Sequence, residues 1–232
     1  MCVWASVRMM LQRKDYIMDD LGKSLEALYL KGDYQEAQKL LLAHKDQFEP
    51  GVFHYNLGTT LMKMGNFAAG RYHLEKALKN GYVDTKVLHN LSVAKGHLGV
   101  SDIESSKKPI DMLLSVSLDI PFSLYLSLTL VLALLVLILF KFKKIIKTYF
   151  FIVALLISLI PVLYSLLFVG QYNYAVALSD TPLREGPSQI YGEISKVKAG
   201  SKFIVGDTQD GWYYIQSPNF LAGWVKKDDI AF

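Results

Sequence analysis

Residues 120–147 read IPFSLYLSLTLVLALLVLILFKFKKIIK, and this stretch decides the architecture of the chain. Residues 120–140 contain no Asp, Glu, Lys, Arg or His, and the same is true of residues 148–170. Each run reaches the roughly 20 residues that an apolar helix needs to cross the ~30 Å hydrocarbon core of a bilayer. The sequence therefore predicts two transmembrane helices joined by the short segment 141–147.

The charge of the chain is concentrated between these two runs. Formal charge is +1 over residues 1–119, +4 over residues 141–147 and −1 over residues 148–232, which gives the net charge of +4. The four charges of the loop are Lys141, Lys143, Lys144 and Lys147. Short Lys-rich loops stay in the cytoplasm. We therefore expect a hairpin in the inner (plasma) membrane with a cytoplasmic tip and both termini in the periplasm; the basic charge is no sign of nucleic-acid binding.

The two runs have the character of anchors. Neither carries an acidic or basic side chain, whereas proton relays and ion pathways place such groups in the membrane. A stripe of small and hydroxyl side chains on the second helix either closes the hairpin or packs onto another membrane protein. Pro161 is expected to kink that helix because proline removes one backbone hydrogen bond.

The residues before the first span show a repeat. Gly32-Asp33-Tyr34 recurs as Gly65-Asn66-Phe67, and Asn56-Leu57 recurs as Asn90-Leu91 at a distance of 34 residues. Each glycine of the first motif is expected to end a helix in a left-handed turn. This period, with its Leu, Gly, aromatic and Ala positions, resembles the tetratricopeptide repeat over residues 18–100.

That resemblance implies a protein-binding groove on the first helices of the repeats. Its lining would be Tyr55, Asn56, Thr59, Met62, Lys63, Lys86, His89, Asn90, Val93 and His97. Two interpretations stay open: these residues only face solvent, or they bind an extended segment of another protein. The histidines of this region lack the spacing of metal ligands, so we expect no metal site.

From Ala175 the pattern changes to short alternating or β-branched runs bounded by turn residues, which predicts strands. Four motifs follow in order: LREGPS at 183–188, KAGSKFIV at 198–205, GWYYI at 211–215 and AGWVKKDDI at 222–230. Together they resemble a bacterial SH3 domain, which implies a small all-β barrel over residues 174–232.

Such a domain is a non-catalytic module that binds peptides or cell-wall material. The aromatic residues expected at its surface or in its core are Tyr191, Trp212, Tyr213, Tyr214 and Trp224. We expect the two tryptophans to supply much of the core, and Gly200 and Gly211 to adopt backbone angles that other residues avoid. The alternative is a rigid spacer that binds nothing.

The order of repeats, membrane hairpin and SH3-like domain resembles the BatE-like proteins of the Bat aerotolerance operons. The resemblance is carried by NLGTTLMKMGNF, LSLTLVLALLVLILFKFKK, AVALSDTPLREGPS and GWYYIQS with AGWVKKDDI. It implies an assembly role beside membrane proteins with von Willebrand factor A domains and a MoxR-type AAA+ ATPase, in tolerance of oxidative or envelope stress.

We therefore expect a multidomain membrane protein: an α-helical tetratricopeptide solenoid, a two-helix transmembrane hairpin and a small SH3-like barrel. Its expected function is that of a non-enzymatic scaffold for protein partners, without cofactor. Phosphate loops, metal spacings and nucleophile motifs are missing from the sequence. The alternatives are a peptidoglycan-binding envelope anchor or sensor, and an accessory subunit of a membrane enzyme.

The predicted divisions are 1–17 as an N-terminal segment, 18–100 as repeats, 101–119 as a linker, 120–140 and 148–170 as transmembrane helices, 141–147 as the cytoplasmic loop and 174–232 as the SH3-like domain. The first of these is either a truncated signal or a capping helix. Since its apolar run is interrupted by Arg8, either a signal peptide lies upstream of Met1 or the periplasmic placement is wrong.

Overall fold

A computed structural model of the chain describes residues 20–142 and 148–232. Contacts divide the chain into two units, each described by itself below. The helical unit lies within Met1–Ala77 and Tyr82–His97, and the C-terminal unit comprises Leu78–Gly81 and Leu98–Phe232. The predicted N-terminal segment 1–17 lies outside the described residues.

The helical unit is built from consecutive antiparallel helices joined by short turns. Its helices are α1 at residues 20–31, α2 at Tyr34–Ala43, α3 at Pro50–Lys63, α4 at Phe67–Lys79 and α5 at Thr85–Leu98. Gly32 and Gly65 both have φ of +82°, so the predicted left-handed turns after α1 and α3 are confirmed. After the second turn, the Asn66 side chain accepts a hydrogen bond from the Ala69 amide at 3.1 Å and so begins α4.

Small residues bring α3 and α4 close together. A Cβ atom placed on Gly58 would lie 3.0 Å from the carbonyl oxygen of Gly70 and 3.0 Å from Cγ of Leu74. An apolar core joins α1, α2 and α3 and consists of Leu21, Leu41, Phe48, Phe53, Leu57 and Leu61. The unit is thus held by contacts between neighbouring helices.

The segment predicted as a linker, 101–119, contains regular structure. A 3-10 turn at Ile103–Ser105 is capped by Asp102, whose carboxylate accepts from the Glu104 amide at 3.0 Å. Helix α6 follows at Pro109–Asp119. Proline suits the first turn of a helix, since the amide it lacks has no helical partner there.

Helix α7 spans Phe122–Lys141, contains an 18-residue window with a mean hydropathy of 2.7, and is long and apolar enough to cross a membrane. Among the described residues it is the one unbroken helix with these properties. Most of its large apolar side chains are exposed. Lys141, the first residue of the predicted loop 141–147, is the last residue of α7 and is exposed. Lys143, Lys144 and Lys147 lie outside the described residues.

The second predicted span is divided into two helices, which goes further than the kink predicted at Pro161. Helices α8, Thr148–Ser158, and α9, Ile160–Leu167, meet at a bend of 41°. Pro161 lies at the start of α9 and lacks an amide, in agreement with the predicted kink. At the break the Val162 amide donates to the Thr129 hydroxyl of α7 at 3.2 Å, so a group freed from the helix is satisfied by its neighbour.

The C-terminal sheet has seven antiparallel strands. They are β1 at Asn173–Ala177, β2 at Thr181–Arg184, β3 at Glu193–Val197, β4 at Lys202–Gln209, β5 at Trp212–Ser217, β6 at Gly223–Lys226 and β7 at Ile230–Ala231. Their order is β3-β2-β6-β5-β4-β1-β7. Closure of this sheet into a barrel stays a prediction. Gly200 and Gly211 have φ of +83° and +82°, as their motifs predict.

The core of the sheet is mainly aliphatic. It consists of Ala175, Ala177, Leu183, Val197, Phe203, Val205, Ile215, Leu221, Val225 and Ile230. The expectation that both tryptophans are core residues is confirmed for Trp212, which is buried, and is wrong for Trp224. Trp212 is buried outside this cluster and Trp224 is only half-buried, because it alternates along β6 with the core residue Val225.

Candidate functional site

The helical unit contains a cavity of ≈ 700 Å³ between α3 and α5. Eight of the ten predicted groove residues line it: Tyr55, Thr59, Met62, Lys63, Lys86, His89, Asn90 and Val93. The spacing of the repeats brings them together, since each helix presents one residue per turn to the same side. That this cavity binds a protein stays a prediction.

Hydrogen bonds hold the two walls of this cavity in register. The Asn90 amide of α5 donates to the Thr59 hydroxyl of α3 at 3.2 Å. The same hydroxyl donates to the Tyr55 carbonyl oxygen at 2.8 Å. A residue from each wall therefore takes part in one chain of hydrogen bonds, which links α3 to α5.

The other two predicted groove residues lie beside the cavity. Asn56 lines an adjoining cavity of ≈ 440 Å³, which shares Tyr29, Tyr55 and Thr59 with the first. His97 stacks on Phe67, a residue of the first lining, with ring centroids 4.2 Å apart and planes 12° apart. Sequence reasoning assigned neither Tyr29 nor Phe67 to the groove, although Phe67 is the repeat equivalent of Tyr34 and Tyr29 that of the groove residue Met62, which was a usable signal.

The charge of the first cavity is one-sided. Its lining includes Lys63 and Lys86 and no acidic residue. Aromatic rings, Met62 and two lysines can bind an extended peptide that carries a carboxylate, because a Lys ammonium donates up to three hydrogen bonds to such a group. This lining holds no serine or cysteine nucleophile.

Two half-buried histidines of this unit, His54 and His73, contact each other and do not line the cavity. Nδ1 of His54 lies 2.8 Å from Nδ1 of His73, and their rings stack. Burial, together with the charges of Lys45 and Lys76, lowers the pKa of both histidines to about 4. Within the described residues, no group of three His, Cys, Asp or Glu side chains is placed to hold a metal ion.

The C-terminal sheet carries a row of three residues on its outer face. Arg184 of β2 pairs with Trp224 of β6, and Trp224 pairs with Tyr214 of β5. Directly paired residues of antiparallel strands share a face. The two rings meet edge to face with centroids 5.5 Å apart, and all three side chains are half-buried. We call these three residues the outer row.

Tyr191 lies next to this row on the loop between β2 and β3. Its ring covers Gly186, where a Cβ atom would come within 2.6 Å of the ring. One guanidinium nitrogen of Arg184, Nη1, donates to the Tyr191 carbonyl oxygen at 2.7 Å and so ties the loop to β2. Arg184 and Gly186 belong to the motif LREGPS, but sequence reasoning assigned neither of them to the site.

The remaining predicted aromatic residues have structural positions. Trp212 is buried, and Tyr213 packs against Phe232 and the core with ring centroids 4.7 Å apart. Of the predicted aromatic residues, Tyr191, Tyr214 and Trp224 are therefore the ones that reach the surface. They provide the flat apolar faces that bind peptides or the sugar rings of a glycan.

The C-terminal sheet is thus a small antiparallel β domain with an aromatic outer face. Residues 179–231, which include β2 to β7, match the family described as bacterial SH3 domain. Comparisons with curated proteins and with solved structures found no match to the chain. The resemblances to the tetratricopeptide repeat and to BatE-like proteins stay predictions.

Proposed function

We propose that the protein is a non-enzymatic, membrane-anchored scaffold that binds other proteins through its helical unit and its SH3 domain. The observation that carries this proposal is the match of residues 179–231 to a bacterial SH3 domain in the same chain as the apolar helix α7. A bacterial SH3 domain suggests binding of protein or peptidoglycan. An anchor with two binding surfaces fits a role in assembly better than one in catalysis.

Anchoring in the membrane is supported by the surface of α7. Its side chains are large, apolar and exposed, and an 18-residue window of the helix is only 11% buried. In water this surface would be an aggregation hazard, whereas in lipid it is the expected one. The bent pair α8 and α9 serves as a second span in this proposal, with the Lys-rich loop in the cytoplasm and both termini in the periplasm.

Protease accessibility tests this topology. Tags at both termini of the full chain should be cut in cells whose outer membrane has been permeabilised, while an inner-membrane marker stays intact. Protection of both tags would contradict the periplasmic placement and would put the helical unit in the cytoplasm. Salt and alkaline carbonate washes should leave the protein in the membrane fraction if α7 is an anchor.

Binding of a protein segment in the cavity is supported by its aromatic and basic lining. We expect the charge reversals Lys63→Glu and Lys86→Glu together to abolish co-purification of partners in mild detergent. Lys31→Glu is the matched control, since Lys31 is exposed and outside both cavity linings. Equal recovery of partners with both variants would contradict a role of the cavity.

A more specific version of this proposal is that the protein belongs to a Bat assembly. It rests on the resemblance of the sequence to BatE-like proteins. It predicts that the co-purified proteins include membrane proteins with von Willebrand factor A domains and a MoxR-type AAA+ ATPase. Recovery of a membrane enzyme instead would favour the accessory-subunit alternative. Deletion of the gene should then lower that enzyme's activity and leave aerotolerance unchanged.

Peptidoglycan is the second candidate ligand of the SH3 domain, and the outer row is the observation that favours it. In a sedimentation assay with purified sacculi, Trp224→Ala should release the protein if the row binds glycan. Phe220→Ala is the matched control, because Phe220 is an exposed aromatic residue of the same domain outside the row. Absence of the wild-type protein from the pellet would leave proteins as the ligands of this domain.

A further inference from the structure

Helix α6, directly before α7, buries polar side chains and exposes apolar ones, which is the opposite of an ordinary surface helix. Its buried side chains are Asp111, Leu114, Ser115, Ser117 and Leu118. Its exposed large side chains are all apolar: Ile110, Met112, Leu113 and Val116, with 47%, 64%, 48% and 56% of their surface accessible. A helix at a protein–water boundary normally directs its polar side outward. The environment outside α6 is therefore apolar.

The exposed residues form one continuous face. At 3.6 residues per turn, their four side chains fall within an arc of roughly 160° around the helix. No charged residue lies among them, since the acids of α6, Asp111 and Asp119, belong to the other side or to the end of the helix. We call these four residues the apolar face of α6.

Hydrogen bonds prevent α6 from turning this face inward. The Asp111 carboxylate accepts from the hydroxyls of Ser106 and of Ser217 on β5, each at 2.5 Å. The Ser117 hydroxyl lies 2.9 Å from the Tyr164 hydroxyl of α9. The polar side of α6 is thus fixed to the SH3 domain and to the second apolar segment, so the apolar face has to meet something outside the described chain.

The position of α6 identifies that surrounding as lipid. Only Ile120 and Pro121 separate the end of α6 from α7, so a bilayer that holds α7 begins at the level of α6. Lys107 and Lys108 are exposed just before the helix, where their ammonium groups can bind anionic headgroups. A one-sided apolar helix next to basic residues is the usual form of a helix in the membrane interface.

We propose that α6 lies on the outer surface of the membrane with its apolar face between the headgroups and the acyl chains, and so holds the SH3 domain against the bilayer. This inference rests on the proposed anchoring by α7. It holds the SH3 domain at a fixed distance from the membrane, whereas a flexible linker would allow the domain to move away from the membrane surface. The other possible occupants, a partner protein or a second copy, are outcomes of the test.

Depth-dependent fluorescence quenching tests this inference on the full chain. In a Cys2→Ser background, Val116→Cys carries an environment-sensitive dye, and the protein is reconstituted into vesicles of phosphatidylethanolamine and phosphatidylglycerol. Some lipids carry a spin label high on the acyl chain. We expect a drop in emission of about twofold, since the dye would lie in the interface that the label occupies. Met112→Cys is a second reporter on the same face.

Two further positions separate the possible failures. Leu130→Cys reports on α7, where a deep acyl spin label should quench. Asp228→Cys reports on an exposed turn of the SH3 domain, where we expect neither label to quench. Quenching at Leu130 without quenching at Val116 and Met112 overturns the inference and leaves the anchor standing. No quenching at Leu130 overturns both.

The aqueous quencher iodide identifies what covers α6 if lipid does not. Strong quenching by iodide at Val116 would show a face open to water and overturn the inference. Shielding from both lipid labels and iodide would show a protein cover and also overturn it; dependence on protein density in the vesicle would then identify a second copy. The charge reversals Lys107→Glu and Lys108→Glu should reduce lipid quenching at Val116 in anionic vesicles and leave that at Leu130 unchanged.

Discussion

The helical unit and the C-terminal unit are held together by contacts of very different range. In the helical unit the buried ion pair of Arg71 and Glu75 lies within one turn of α4, with 2.9 Å between its atoms. In the C-terminal unit, Ser217 bonds to Asp111 across 106 residues of sequence, and Lys202 bonds to Asp119 across 83. The ion pair of the helical unit is thus local to one helix, whereas the SH3 domain is bonded to a segment that precedes both apolar runs in the sequence.

This difference makes the segment before the first span a part of the SH3 unit. A polar stretch of sequence between two domains is typical of a linker, but here its acids meet the ends of strands β4 and β5. The contacts order the segment and the domain together. Substitutions that break a long-range contact should therefore affect more of the structure than substitutions inside one helix pair.

The largest expected effect is that of Lys202→Met. The Lys202 side chain is fully buried, its ammonium lies 2.5 Å from the Asp119 carboxylate, and it also sits over the Tyr174 ring at 4.7 Å. Lys202→Met removes a fully buried ammonium and its hydrogen bond to Asp119, whose side chain is 28% accessible, so we expect a loss of about 1.5–3 kcal/mol, the range for hydrogen bonds to charged groups. Hydrogen exchange of the β4 and β1 amides in the full chain should report this loss as a lower free energy of opening.

Lys196→Met is the matched control for that variant, since Lys196 is exposed on β3 of the same sheet. It should change the opening free energy by less than about 0.5 kcal/mol. If the opening free energy of Lys202→Met also stays within about 1 kcal/mol of the wild-type value, the long-range contacts stabilise the structure no more than the local ones do. The contacts of the two units would then differ in the distance they span along the sequence, but not in their contribution to stability.

The contrast in range also explains which features the sequence predicted. Gly32 and Gly65 act within their own turns, and the period of the repeats carries Tyr55 and Lys86 to one cavity, so both follow from nearby residues. The contact of Asp111 with Ser217 joins positions that no spacing rule relates. The half-burial of Trp224 was missed for another reason. Alternation along β6 predicts which residues share a face of the strand, but it does not show which of the two faces packs on the core.

The crossing of α3 and α4 should give the next largest effect. Gly58→Val would place a branched side chain 3.0 Å from both the Gly70 carbonyl oxygen and the Leu74 side chain, and such overpacking costs about 1–3 kcal/mol. The loss should appear in hydrogen exchange of α3 and α4, with β4 unchanged. Gly96→Val is the control, since its Cβ would meet nothing within 4 Å. Equal exchange in the two variants would mean that the crossing tolerates a wider separation.

Acid should weaken the helical unit through its histidine pair. The pKa of His54 and of His73 is about 4 in the folded protein, against an ordinary value of 6.5, because of burial. The unfolded chain therefore binds more protons between these two pH values, and stability present above pH 6.5 is lost as the pH falls toward 4. Allowing for the partial exposure of both rings, we expect α3 and α4 to lose about 1–2 kcal/mol between pH 7 and pH 5.

Exchange rates of these helices, corrected for the intrinsic effect of pH, measure that loss. The double variant His54→Asn with His73→Asn should make the opening free energy of α3 nearly independent of pH in this range. Asn56→Ala, a change at a neutral residue of the adjoining cavity, should keep the wild-type pH dependence. A pH dependence that survives in the double variant would assign the loss to other groups.

The smallest effect is expected at the exposed ion pair of α2, which is as local as a contact can be. The Lys39 ammonium lies 2.7 Å from the Glu36 carboxylate, as close as many buried pairs, but 72% and 59% of these two side chains are accessible. Water and salt screen the pair, so Glu36→Gln should change the opening free energy of α2 by less than about 0.5 kcal/mol. Comparison with Lys202→Met shows whether the short distance between the charges or their burial determines the stabilisation, since both pairs have short distances but only Lys202 is buried. A loss at Glu36 comparable to that at Lys202 would show that proximity of charge sets the energy in both units; a negligible loss would show that burial does.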